Sequence, residues 1–372
     1  MPLYETILPS ETPISITIFG VQHQALSEEA INTSSHLLET LQSLLDSEPT
    51  HHTETLSQDS PVPTTILLTY WASHTSFQDW FTSPSVSSFW SSLPANAGIY
   101  RETFAITPGL TQHGTNDPSR PSGLANLGRF EELEGKQGYW GCYYDRMRDV
   151  TRETRETVRA PLAQGQCPFR HGTAEATAEA AAAESPSPTS PIRREENGRI
   201  KLTNLPDNIC FAVEGQDHTR LTPSEKTHWF AHFDGPVTAW VTDLIAATNN
   251  PAKTGVLDSK ICYDSTSDLY RAPAAEPSAL NYNRKTQLFW FIDMEAMEKL
   301  GRENKGHVQL RRKFMQDYGP GGVLVDPQGE VMGEGGPGLC LWVEVSILKG
   351  RDVECEYVGC VEGTGLLGVE WA

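Results

Sequence analysis

Ile14-Ser15-Ile16-Thr17-Ile18-Phe19-Gly20-Val21 returns an apolar side chain at every second position, the period that a half-buried β-strand requires. A second β-rich run, Ile66-Leu67-Leu68-Thr69-Tyr70-Trp71, lies further along the chain. Between them, residues 25–47 place Ile31, Leu37, Leu38, Leu41 and Leu44 near helical spacing, with Glu28 and Glu29 in the first turn, where a helix dipole favours acids. The order is strand, helix, strand.

The plan recurs. After Trp71 the chain runs through a short polar link into Phe77, Trp80 and Phe81, and after Trp290 it runs into Met294, Met297 and Leu300, both sets at helical spacing. A weak internal duplication follows from matching Trp71 with Trp290. Further strands are expected at residues 209–213, 287–291, 339–346 and 353–358, and helices at 229–248 and 307–317. Without a regular parallel rhythm, these fit an α+β fold with helices on one face of a mainly antiparallel sheet. Residues 1–372 read as one domain of two similar halves, interrupted at 165–198 by an Ala-, Glu-, Pro- and Ser-rich surface insertion too polar to offset its ordering entropy.

A formal net charge of −19, from 48 acidic and 29 basic residues, repels nucleic acid and anionic membranes. Residues 1–10 lack the basic and apolar regions of a secretory signal, and no apolar run reaches membrane-spanning length. Seven cysteines occur without a CxxC pair, which fits a reduced, cytoplasmic setting.

His307 opens a segment after Asn304-Lys305-Gly306, with Leu310 and Phe314 on its apolar face. Such an imidazole can reach a buried metal, haem iron included, although taken alone it is more often a hydrogen-bonded core or surface histidine. Gly138-Tyr139-Trp140-Gly141-Cys142-Tyr143-Tyr144-Asp145-Arg146 reads either as a pocket wall, with Arg146 aiming a permanent cation at a substrate oxygen, or as an aromatic strand with a surface Asp145–Arg146 pair. Cys167-Pro168 offers a thiolate but borders the insertion, where a rigid dry site is hard to build. His228 and His232, four apart, lack an HExxH frame and read as exposed helix histidines.

Taken together, Phe19-Gly20-Val21-Gln22, His51-His52-Thr53-Glu54, Tyr100-Arg101-Glu102, Gly138-Tyr139-Trp140-Gly141 with Asp145-Arg146, Gly215-Gln216-Asp217, Gly306-His307, Leu341-Trp342 with Glu344-Val345-Ser346, and Gly363-Thr364-Gly365 resemble the aldoxime dehydratase family over most of the chain. The resemblance implies b-type haem in a ferredoxin-like α+β barrel, His307 as axial iron ligand, Trp140 and Val343 beside the cofactor, and Arg146 as a catalytic distal arginine. It also implies a homodimer. The family reaction binds the aldoxime nitrogen to ferrous iron and expels water to give a nitrile.

Two departures matter. The family's distal histidine falls on Val343, which transfers no proton, and its distal serine falls on Glu214. Either Glu214, with a raised pKa beside an apolar haem face, donates the proton, or it is an exposed strand-end residue or a partner of Arg146 in a pocket that keeps haem without dehydratase activity. The expected function is a haem-dependent lyase acting on an apolar aldoxime or a related N-oxygenated compound. The alternatives are a peroxidase- or peroxygenase-like haem enzyme and a non-catalytic haem-binding protein.

Overall fold

The computed structural model describes residues 3–9, 12–23, 28–48, 51–133, 143–156, 192–195, 198–319, 321–325 and 338–371. The chain begins with β1 (Tyr4–Ile7) and β2 (Ile14–Gln22), and continues through α1 (Glu28–Asp46), β3 (His51–Gln58), β4 (Thr64–Trp71), α2 (His74–Thr82), α3 (Pro84–Ser92) and β5 (Ile99–Ile106). Next come β6 (Thr111–Thr115), β7 (Arg129–Glu132), the short α4 (Tyr143–Arg146) and α5 (Arg152–Arg155), β8 (Ile192–Arg194) and β9 (Arg199–Leu202). The second half repeats the first: β10 (Cys210–Asp217), α6 (Pro223–His232), α7 (Asp234–Ala247), α8 (Pro251–Thr254), β11 (Val256–Tyr263), β12 (Arg284–Phe291), α9 (Met294–Glu303), α10 (Lys305–Tyr318) and β13 (Cys340–Ile347). β14 (Val353–Val358) follows.

All neighbouring strands pair antiparallel. The sheet order β13-β10-β12-β11 in one half mirrors β5-β2-β4-β3 in the other, and the halves meet where Tyr263 of β11 pairs with Ser57 of β3. Each half is therefore a β-α-β-β-α-β unit with the strand order of a ferredoxin-like fold. The expected barrel is corrected in one respect: among the described residues the hydrogen-bonded sheet does not close. The edges that would have to meet are already occupied, β13 by β6 and β5 by β14. The sheet instead curls around a shared core, in which Phe104 of β5 lies 4.8 Å from Phe211 and 5.1 Å from Trp290, ring centre to ring centre.

Strand β2 is buried along its whole length rather than on one face. Ile14, Ile16 and Ile18 point into the shared core, while Phe19 and Val21 meet the helices on the other side. Helix α2 begins in a capping box between Ser73 and Ser76, which satisfies backbone groups that the first turn leaves unpaired. In the 165–198 stretch, residues 165–191 and 196–197 lie outside those described, but Ile192–Arg194 form a strand on β9. No helix among the described residues is long and apolar enough to cross a membrane.

The duplication is also corrected by one residue. Each helix starts three positions after Trp71 and after Phe291, and Trp71 pairs with Ser15 as Phe291 pairs with Cys210. Trp71 thus matches Phe291, and Tyr70 matches Trp290. Both Tyr70 and Trp290 face the shared core.

Candidate active site

Between the second half of the sheet and its helices lies a cavity of about 360 Å³. Its floor is β10, β12 and β13, with Ala212, Glu214, Phe289, Val343 and Val345; its roof is α7, α9 and α10, with Trp240, Leu244, His307 and Leu310. The walls are mainly apolar, as in small-molecule sites that exclude water.

His307 is set by local chemistry. The α10 helix starts at Lys305, two residues before the expected start, because the Asn304 side chain caps it by accepting the His307 backbone N–H at 2.8 Å. The imidazole stacks on Trp240 at 4.1 Å and 16°. Its Nδ1 lies 2.9 Å from the Gly301 carbonyl, so a proton on Nδ1 donates there and fixes the tautomer that leaves Nε2 as an electron pair. Burial pushes the His307 pKa down to about 4, with Arg311 adding to the shift, so the ring is neutral at pH 7. A neutral, oriented imidazole on an apolar cavity is the donor that haem iron takes, and the residues present fit that group. A Cβ at position 301 would sit 3.4 Å from the ring, an ordinary van der Waals contact.

Glu214 faces His307 from the sheet side of the same cavity. It keeps accessible surface toward the cavity, yet protein surrounds it, and burial pushes its pKa up to about 7 against the opposing pull of Arg311. A carboxyl group poised there gives or takes a proton near neutral pH. Val343 is its direct cross-strand neighbour and lines the cavity at 3% exposure. The structure therefore gathers His307, Glu214 and Val343.

Arg146 is not among the residues that line this cavity. It lines a second cavity of about 150 Å³, together with Gln112 and Arg148. The two cavities are neighbours through α4, whose Tyr143 lines the larger and whose Arg146 lines the smaller. The segment is clamped where Asp149 N donates to Gly109 O at 2.9 Å. Trp140 and Cys167 lie outside the described residues. His228, expected to be exposed, is half-buried and lies 2.7 Å from an Asp317 carboxylate oxygen.

The sequence reading missed Gln287, the other cross-strand neighbour of Glu214. It lines the cavity at 1% exposure, and its Nε2 has no hydrogen-bond partner among the described residues. Arg311, one turn beyond His307, was also passed over.

Comparison with known proteins identifies the family. The sequence profile of a family described as haem-containing dehydratase matches residues 17–366. A phenylacetaldoxime dehydratase of Bacillus sp. (strain OxB-1) is 22% identical over 306 residues, covering 81% of this chain and 73% of that one. Among solved structures, an aldoxime dehydratase in complex with butyraldoxime matches with a TM-score of 0.72 at 16% identity, over 99% of this chain and 89% of that one. A second aldoxime dehydratase structure matches with a TM-score of 0.71 at 16% identity, over 99% and 91%. The profile match spans nearly the whole chain and includes every element around the cavity, so the chain belongs to the haem-containing dehydratase family.

Proposed function

We propose that this protein dehydrates an apolar aldoxime, or a related N-oxygenated compound, to a nitrile. One observation carries the reading: a neutral imidazole with Nδ1 engaged and a carboxyl group with a pKa of about 7 face each other across one apolar cavity. Haem bound there supplies an iron coordination position for the oxime nitrogen, the chemistry on which N–O cleavage depends.

Within this reading His307 would hold the haem iron through Nε2, its ring oriented by the Gly301 carbonyl. Glu214 passes its proton to the oxime oxygen as the N–O bond breaks, so that water rather than hydroxide leaves, an effect worth about 10²–10⁴-fold for a positioned acid. The carboxylate left behind takes the proton lost from the oxime carbon. The balance is R–CH=N–OH to R–C≡N and H₂O, and Glu214 ends as it began. Val343 and its apolar neighbours keep bulk water from the departing oxygen. Arg146 lines the neighbouring cavity rather than this one, so the reading gives it no contact with the departing oxygen. The described cysteines, Cys210, Cys262, Cys340, Cys355 and Cys360, are free thiols, which supports a reducing, cytoplasmic setting.

The test is anaerobic, dithionite-reduced, haem-loaded protein incubated with aryl and alkyl aldoximes. Nitrile formation that depends on Glu214 supports the reading. Haem binding without nitrile from any aldoxime overturns it.

A further inference from the structure

We infer that Gln287 orients the substrate's N-oxygen, donating from its carboxamide Nε2 to the oxygen that Glu214 protonates; this rests on the function proposed above. The registers place Gln287, Glu214 and Val343 in one cross-strand row, and directly opposed residues in antiparallel strands share a face with Cβ atoms about 4.5–5.5 Å apart. All three line the cavity that holds His307. Gln287 is 1% exposed, and its Nε2 is buried without a partner among the described residues. Buried amide donors are almost always satisfied, so an unpartnered one on a residue that lines a cavity calls for a partner, and a turn of the carboxamide brings it to what the cavity receives.

The other half of the molecule sharpens the point. The matched registers set Phe19 opposite Leu67 where the second half sets Glu214 opposite Gln287. Phe19 and Leu67 lie in an apolar cluster, so this position in the fold is stable with hydrocarbon. The carboxamide is not needed to hold β12 in the sheet. A donor beside an acid suits an oxygen bearing lone pairs and a leaving proton demand, and gives nothing to a ligand that ends in nitrogen.

The experiment compares Glu214→Gln, in which turnover is slowed, with Glu214→Gln/Gln287→Leu. Both are haem-loaded and reduced, and both are titrated by absorption with phenylacetaldoxime and with 2-phenylethylamine, which has the nitrogen but no oxygen. The expected result is that Gln287→Leu weakens aldoxime binding about tenfold, the range of one buried hydrogen bond, and leaves amine binding unchanged. An unchanged Soret band and melting temperature check that the variant folds, as Leu67 in the first half indicates it should. Equal weakening of both ligands, or weakening of neither, overturns the inference while leaving the functional reading intact. Failure of the Glu214→Gln protein itself to bind aldoxime overturns both.

Discussion

Over the first half of the sheet, Phe19, Leu67, Trp71, Phe77, Trp80 and Trp90 fill the space between strands and helices. Trp71 lies 5.5 Å from Phe77 and 5.0 Å from Trp80, so aromatic rings pack to the density of an ordinary core. Over the second half, the same strand order under the corresponding helices encloses a cavity. Where one half has Phe19 and Leu67, the other has Glu214 and Gln287; where one has Arg101, the other has Val343. A fold that is filled by aromatic rings in one copy is thus opened in the other, where smaller side chains stand at all three positions and two of them are polar.

The inner faces differ as well. Glu102 of β5 meets the Lys260 ammonium at 3.1 Å and accepts from the Tyr357 hydroxyl at 2.7 Å. Its counterpart Glu344 accepts from Leu124 N at 2.9 Å but also faces the charge of Glu54, and burial, with that charge adding to it, pushes its pKa up to about 8.

The largest effect is expected where the hollow half does chemistry. Glu214→Gln should lower the rate of nitrile formation about 10²–10⁴-fold while leaving haem bound, read by single-turnover assay. Because Glu214 must carry its proton to act, the wild-type rate should fall as pH rises through about 7, and the Gln variant should lose that limb. The comparison breaks if the limb survives.

In the filled half, Trp80→Ala should cost about 3–5 kcal/mol in denaturant melts, the range for truncating a core aromatic, yet leave the haem spectrum unchanged. A spectrum that follows the loss of stability would mean that the halves are not separate in function.

Smaller still is the contrast within the shared core. Glu344 keeps in the folded state a proton that the unfolded chain releases at its ordinary value of 4.5, so it costs stability as pH rises from there to about 8. Glu344→Gln should therefore gain about 1–3 kcal/mol at pH 9. Glu102→Gln, which removes the anion beside Lys260, should lose stability at the same pH. Thermal melts at two pH values check both.

Local pattern carried much of this into the sequence. The alternation from Ile14, the spacing of Leu37 and Leu41, and the strand-to-helix passages after β4 and β12 follow from periods of two and 3.6, so they were legible without a fold. His307, Glu214 and Val343 stood out against the family's motifs. Gln287 did not, for a geometric reason: matching Trp71 with Trp290 slips the repeat by one residue, and in a strand a one-residue slip turns every side chain to the other face. That match sets Gln287 against the inward-facing Leu68, whereas the true register sets it against Leu67 on the helix side. The open sheet was hidden because its edges are taken by β6 and β14, pairings that no local period encodes. The cavity was hidden because a hollow is a property of many side chains at once.

The claim on which the rest depends is that His307 holds the cofactor in the hollow half. Absorption spectra of purified wild-type and His307→Ala protein, oxidised and reduced, test it most directly. The expected result is a haem Soret band in the wild type that is lost or clearly shifted in the variant in both redox states. A Soret band that is the same in both proteins would contradict it.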